Sequence, residues 1–194
     1  TIRKAEIFRL EAQNILNKIR KERALPVIEK YQWIAAATAF ANPVPALDLL
    51  ATAAINGQLI VDLSAIYEQK FSLEKGKEVA VTMAELMLKL GLVELSTKTL
   101  TTILKSNSVT FVAGGAIQAV SAAYLTRVAG ISLAEYFATQ TDTNYVNIEK
   151  LGKILQRVFS QAQENNLLKP FVTQVMSHIL PQEEKLEVVS TPAK

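Results

Sequence analysis

From Ser106 to Thr126 the chain carries no charged side chain, and the run SNSVTFVAGGAIQAVSAAYLT is rich in Ala, Gly, Val and Ser. Lys105 and Arg127 close it at either end. At about 1.5 Å per residue, a helix of this length reaches roughly 30 Å, the hydrocarbon thickness of a bilayer. The same composition suits the central helix of a tightly packed bundle, because small side chains let neighbouring backbones approach. Either way the segment has to be enclosed, by lipid or by other helices.

A second apolar region, Tyr31 to Val61, competes for the same role, but Asp48 and the Pro43 and Pro45 kinks interrupt it. Burying Asp48 at mid-membrane costs roughly 3 kcal/mol. Gly115, Ala119 and Ala123 stand four residues apart in the uncharged run, the spacing of closely packed helices. Gln118 and Ser121 weaken its insertion, and Ala-rich segments insert only marginally. A two-span hairpin would put Lys70, Lys75, Lys77, Lys98 and Lys105 across the membrane from a basic N-terminus, against the positive-inside rule. A shallow or re-entrant hairpin avoids that conflict.

The punctuation is helical throughout. Apolar residues recur at three and four, glycine is scarce, and no alternating β-branched run suggests a sheet. The pattern predicts a first helix from Ile2 to about Arg23, with Ile7, Leu10, Ile15 and Ile19 on one side. Leu25-Pro26 breaks it, and a second helix runs to about Phe40. Asn42-Pro43-Val44-Pro45 ends that one. Further helices are expected over Ala46–Gln69, Ser72–Leu90 with Gly91 as a left-handed cap, and Val93–Lys105. After the uncharged run, Gly130 and the capping box Ser132–Glu135 predict a stop and a new start, with that helix ending near Gln140. Asn147 opens a helix to about Asn165, and Pro170 fits the first turn of the last, which ends at Pro181. The chain therefore reads as all-α, a multi-helix bundle with a central apolar helical hairpin. Its parts are a basic amphipathic helix (1–30), an apolar helical core (31–140), a C-terminal helical pair (141–181) and a flexible tail (182–194).

Charge is unevenly spread although the net value is only +3. Arg3, Lys4, Arg9, Lys18, Arg20, Lys21 and Arg23 crowd the first helix against Glu6, Glu11 and Glu22. Such a helix can bind anionic lipid or a partner's acidic face, and the plainer reading is a solvated helix face. It lacks the set of interleaved aromatic side chains that a nucleic-acid stacking surface needs, so no nucleic acid is expected.

Catalytic chemistry finds little support. There is no cysteine, which removes disulfides, thiolate metal sites and cysteine nucleophiles. His178 is the only histidine, and no HExxH or GxSxG spacing occurs. Gly114-Gly115 lacks the lysine of a phosphate loop, and Lys75-Gly76-Lys77 lacks its frame. Asp48, Thr52 and Asp62 share an arc of one helix, where two carboxylates could bind a cation or relay protons. The plainer reading makes Asp48 a helix cap. Arg127 is expected to pair with Asp62 or Glu135. No enzyme activity, cofactor or metal is expected.

Two stretches carry a resemblance. NPVPALDLLATAAINGQLIVDLSAIYEQKFS (Asn42 to Ser72) and TFVAGGAIQAVSAAYLTRVAGISLAEYF (Thr110 to Phe137) resemble the motifs of the YcjF-like domain of unknown function. The likeness covers about Tyr31 to Thr139. Pro43, Pro45, Asp48, Tyr67, Gly114, Gly115, Thr126 and Gly130 align with its motifs and are structural landmarks, not an active site. In that family glycine usually follows the first motif's tyrosine, whereas Glu68 follows Tyr67 here. The resemblance implies a domain that often follows an Era-like or dynamin-like bacterial GTPase domain and is often membrane-bound.

The expectation is therefore a non-catalytic, membrane-associated domain on the cytoplasmic side that anchors or regulates a GTPase in cis or in trans. Membrane lipid is an expected partner, and a homo-oligomer is admitted. An inserted hairpin would keep the chain on membranes through a high-salt wash. A soluble helical adaptor is the alternative, and an ion- or proton-handling membrane protein built on Asp48 and Asp62 a third.

Overall fold

Forty consecutive residues, Ile2–Ala41, form one unbroken helix, α1, in the computed structural model. The structure describes residues 1–41, 49–106, 115–140 and 145–179, and the tail expected over 182–194 lies outside them. The break expected at Leu25-Pro26 does not occur, and Pro26 sits inside the helix. Its ring removes one N–H and leaves the Glu22 carbonyl without its helical donor. Pro26 is exposed, so water can satisfy that carbonyl, while Ala24 and Ile28 on the far side are fully packed. Tertiary packing on one face thus carries the helix past its own breaker.

Among the described residues six more helices follow: α2 (Leu49–Ile66), α3 (Leu73–Lys89), α4 (Leu92–Ser106), α5 (Ala116–Thr139), α6 (Ile148–Ala162) and α7 (Asn165–Ile179). No strand occurs among the described residues. The chain is an all-α bundle, as its periodicity predicts. Ser72 caps α3 by accepting from the Lys75 N–H at 3.1 Å, and Asn147 caps α6 by accepting from the Lys150 N–H at 3.0 Å. Gly91 ends α3 with φ +70°, the left-handed conformation glycine adopts without strain.

Residues 107–114 of the uncharged run lie outside the described residues. Ser106 ends α4, and α5 begins at Ala116, so α5 lies further along and includes Arg127 and Glu135. It also passes through Gly130 without stopping. Ser132 does not cap a new helix there; its hydroxyl donates to the Val128 carbonyl at 2.7 Å in the interior. Glu135 pairs with Arg157 of α6 instead of closing a capping box. Pro170 lies one turn deeper in α7 than expected, since that helix starts at Asn165.

α5 is the axle of the bundle. It runs chiefly along the C-terminal half of α1 and is also touched by α2, α4, α6 and α7, while α3 packs on α2. Its small residues allow the enclosure: Ala116, Ala119, Ala123 and Ala134 are buried, and Tyr124 and Phe137 fill the gaps. α2 and α3 cross where two glycines meet, and a Cβ on Gly76 would stand 2.5 Å from the Gly57 carbonyl oxygen. α6 lays Leu151, Leu155, Val158 and Phe159 onto the core, the stripe expected of an amphipathic helix.

Candidate functional site

α1 leaves the bundle upstream of Ala24. Residues 1–23 are exposed except Asn17 and Arg20, which are half-buried. At 1.5 Å per residue this arm is roughly 33 Å long. It carries Ile2, Ile7, Phe8, Leu10, Ile15, Leu16 and Ile19 in the open, the densest run of exposed large apolar side chains on the described surface. Arg3, Lys4, Arg9, Lys18, Lys21 and Arg23 are exposed beside them. The helix and its charge match expectation, but its apolar side differs. Ile7 and Leu10 do not share a face with Ile15 and Ile19; helical geometry places Phe8 with that pair and turns Ile7 and Leu10 away.

Arg20 differs from the other arm cations because it faces the bundle. Its guanidinium meets the Glu68 carboxylate at 3.0 Å and lies 5.8 Å from the Tyr67 ring centroid. Burial pushes the Tyr67 hydroxyl up from its ordinary value, Arg20 opposes that shift, and Glu135 adds to it. The arm is therefore tied at its root to the turn that closes α2. That turn is a left-handed cap: the Gln69 N–H donates to the Ser64 carbonyl at 2.7 Å and the Glu68 N–H to that of Ala65 at 3.2 Å. Glu68 itself has φ +61°, a conformation that favours glycine.

The remaining landmarks are structural where they can be placed. Pro43, Pro45, Asp48 and Gly114 lie outside the described residues. Tyr67 is buried against Phe137, with ring centroids 6.2 Å apart. Gly115 lies under Phe40, whose carbonyl oxygen would be 2.7 Å from an added Cβ. Thr126 is buried, and its hydroxyl reaches Asn56 Oδ1 at 3.4 Å.

A polar seam runs where α1, α2 and α5 meet. The Tyr31 hydroxyl donates to Asp62 Oδ2 at 2.6 Å, and Gln58 Nε2 donates to Asp62 Oδ1 at 3.0 Å. Burial raises the Tyr31 hydroxyl well above its ordinary range, and its bond to Asp62 adds to the shift. Arg127 does not pair with Asp62 or Glu135; it donates to Gln32 Oε1 at 3.3 Å. Asp62 is thus occupied by neutral donors. No cluster of three metal-ligating side chains occurs among the described residues. Gln118 Oε1 and Ser121 Oγ are enclosed without a hydrogen-bond partner among the described residues.

A cleft of about 460 Å³ opens where α5 ends and α6 begins, lined in part by Glu135, Glu149, Lys150, Lys153 and Arg157. Its charges are matched within it: Arg157 pairs with Glu135, and Lys153 with Glu149 at 2.9 Å. Lys150 Nζ donates to the Thr139 carbonyl at 3.3 Å. His178 is exposed and stacks on Trp33, centroids 3.9 Å apart, which makes it a packing residue between α7 and α1.

α5 is the one helix among the described residues long and apolar enough to cross a membrane, and most of it is enclosed by the rest of the protein. Among the described residues the densest run of exposed large apolar side chains is on the arm instead. The chain belongs to the family described as Domain of unknown function (DUF697), whose profile matches residues 3–164, from α1 through α6. No match to the chain is found among curated proteins or among solved structures.

Proposed function

We propose that this DUF697 domain is a non-catalytic, membrane-associated helical module that anchors or regulates a GTPase, in cis or in trans. The observation that carries the membrane part is the projecting arm of α1. Most helical stability in proteins comes from packing an apolar face, and the arm's exposed Phe8, Ile15, Leu16 and Ile19 gain free energy from any apolar cover. The exposed cations around them favour an anionic cover. Enclosure of α5 supports placing the contact on the arm and not on an inserted hairpin. The GTPase part rests on the YcjF-like motifs, of which Tyr67, Gly115, Thr126 and Gly130 form bundle contacts suited to a rigid scaffold.

Flotation of the full chain with mixed phospholipid vesicles tests the membrane part. Co-flotation that weakens as salt rises supports it, and a chain left wholly in the dense fraction overturns it. Nucleotide hydrolysis by an Era-like or dynamin-like GTPase domain, measured with and without this chain, tests the other part. The second reading is a soluble helical adaptor, and burial of Ala119, Ala123 and Tyr124 on α5 favours it. It predicts a monodisperse chain without detergent that ignores vesicles.

A further inference from the structure

The arm's side chains specify more than an attraction to membranes; they specify a face and a lipid charge, an inference that rests on the membrane reading of this domain. Around the axis of α1, at 3.6 residues per turn, Ala5, Phe8, Ala12, Ile15, Leu16 and Ile19 fall within one arc of roughly 100°. Phe8 is 72 % exposed and Ile15 61 %. Downstream, α1 buries Ala24, Ile28, Tyr31, Gln32, Ala35 and Ala36. Those residues point about half a turn away from the apolar arc. The arc is thus not an overhang of the contact that holds the bundle together. It faces the other way, and the exposed Arg23 at the end of the arm, then Lys30 and Ile34 beyond it, continue the line.

Charge says what fits there. Arg9 borders one edge of the arc. Lys4 and Lys18 border the other, interleaved with Glu11 and Glu22. Over residues 1–23 seven cationic side chains face three acidic ones. Among the described residues Arg20 is the one of the seven that pairs with the bundle, through Glu68. Each lysine or arginine near an anionic bilayer contributes about 1 kcal/mol, and its long stem can lie along the apolar surface while its charge stays in water. A second copy laid along the same seam would instead double the positive excess on one rod.

We propose that this arc is an interfacial surface for an anionic lipid bilayer. The arm lies flat among the headgroups with Phe8, Ile15, Leu16 and Ile19 turned inward. The bundle rides on the opposite side of α1, so α5 stays in the protein core and does not enter the membrane.

The test uses the full chain with phosphatidylserine–phosphatidylcholine vesicles and with phosphatidylcholine vesicles alone. The wild-type chain binds the first and not the second. Phe8→Asp with Ile15→Asp lowers affinity about tenfold or more. Arg9→Gln with Lys18→Gln also lowers it about tenfold. Leu10→Asp, exposed on the far side of the helix, leaves binding unchanged. All these positions are exposed, and an unchanged thermal unfolding curve confirms that each variant folds.

Equal binding by the Phe8/Ile15 variant, or equal damage from Leu10→Asp, overturns the face assignment while leaving membrane association standing. Equal binding to both vesicle types overturns the anionic requirement. If wild-type chain ignores both vesicles, the membrane reading itself fails. An oligomer that the Phe8/Ile15 variant dissolves would make the occupant a second copy. GTPase binding that is lost with the same variant, in a chain that ignores vesicles, would make it a protein surface.

Discussion

Gly130 of α5 lies directly beneath the Ile28 side chain of α1, so close that an added Cβ would stand 2.8 Å from Ile28 Cγ1 and 2.9 Å from Cγ2. Ile28 is fully buried and its branched carbons have nowhere to retreat. Gly130 therefore sets how near the two longest helices approach. Gly130→Ala gains up to about 1 kcal/mol of helix propensity but overpacks the contact by about 1–3 kcal/mol. The expected outcome is a net loss of about 1–2 kcal/mol in urea unfolding. Gly152 on α6 is the control, because its Cβ would meet only Leu86 Cδ2 at 4.0 Å. Gly152→Ala should stabilise by about 0.5–1 kcal/mol. Equal effects at the two positions would refute the close-approach account.

Glu68 offers the opposite substitution. It occupies the left-handed position of the α2 cap, φ +61°, where a side chain costs roughly 1 kcal/mol relative to glycine. Its carboxylate is 81 % exposed, so its pair with Arg20 is screened by water and worth little. Glu68→Gly is expected to raise the urea midpoint by an amount equivalent to about 0.5–1 kcal/mol. A lowered midpoint would show that the tie to Arg20 outweighs the backbone cost.

The helical class is legible in the sequence because three-and-four periodicity, the Ser72 and Asn147 caps and the Gly91 stop are local signals, answered by local hydrogen bonds and backbone geometry. Pro26 and Gly130, where the helices run on past an expected stop, share one cause. Each is a helix breaker by its own chemistry, and each sits in a helix that neighbouring packing holds together. A single sequence carries no sign that Ile28 needs the space above Gly130. The arm's charge is likewise visible in the residues alone, but its apolar face depends on the projection of residues 1–23, which frees Phe8 from any core role. Arg127 is a related case: its partner, Gln32, lies 95 residues away on another helix, beyond the reach of any local pattern.

Tyr31 and Tyr124 make the bundle sensitive to alkali. Burial raises the hydroxyl of Tyr31 above its ordinary range and pushes that of Tyr124 up to about 12, the latter partly offset by a hydrogen bond from Gln163. An unfolded tyrosine ionises near pH 10, so above that pH the unfolded chain releases protons that the folded chain retains. Stability is therefore fully present below about pH 10 and falls as pH rises toward 12 and beyond. Tyr124→Phe should flatten part of that decline in Tm measured against pH. At neutral pH, Tyr31→Phe should cost about 1.5–3 kcal/mol, the worth of a hydrogen bond to a charged acceptor. A Tm profile as steep in Tyr124→Phe as in the wild type would remove Tyr124 from this account.

Trp33 is the only tryptophan, and the ring stacked on it at 3.9 Å and 5° belongs to the only histidine, His178. Trp33 is half-buried on α1 and His178 lies in the last turn of α7, so the tryptophan fluorescence of this chain reports whether the end of α7 is docked. The imidazole covers one face of the indole and keeps water from it. His178→Ala uncovers that face and should shift the emission maximum to longer wavelength, with little change in helical circular dichroism because the substituted position is exposed. Under increasing urea the shift should begin before the loss of helicity, since the last turn of a helix opens more readily than the core that α5 anchors. An emission maximum identical in wild type and His178→Ala would show that α7 does not dock through this pair in solution.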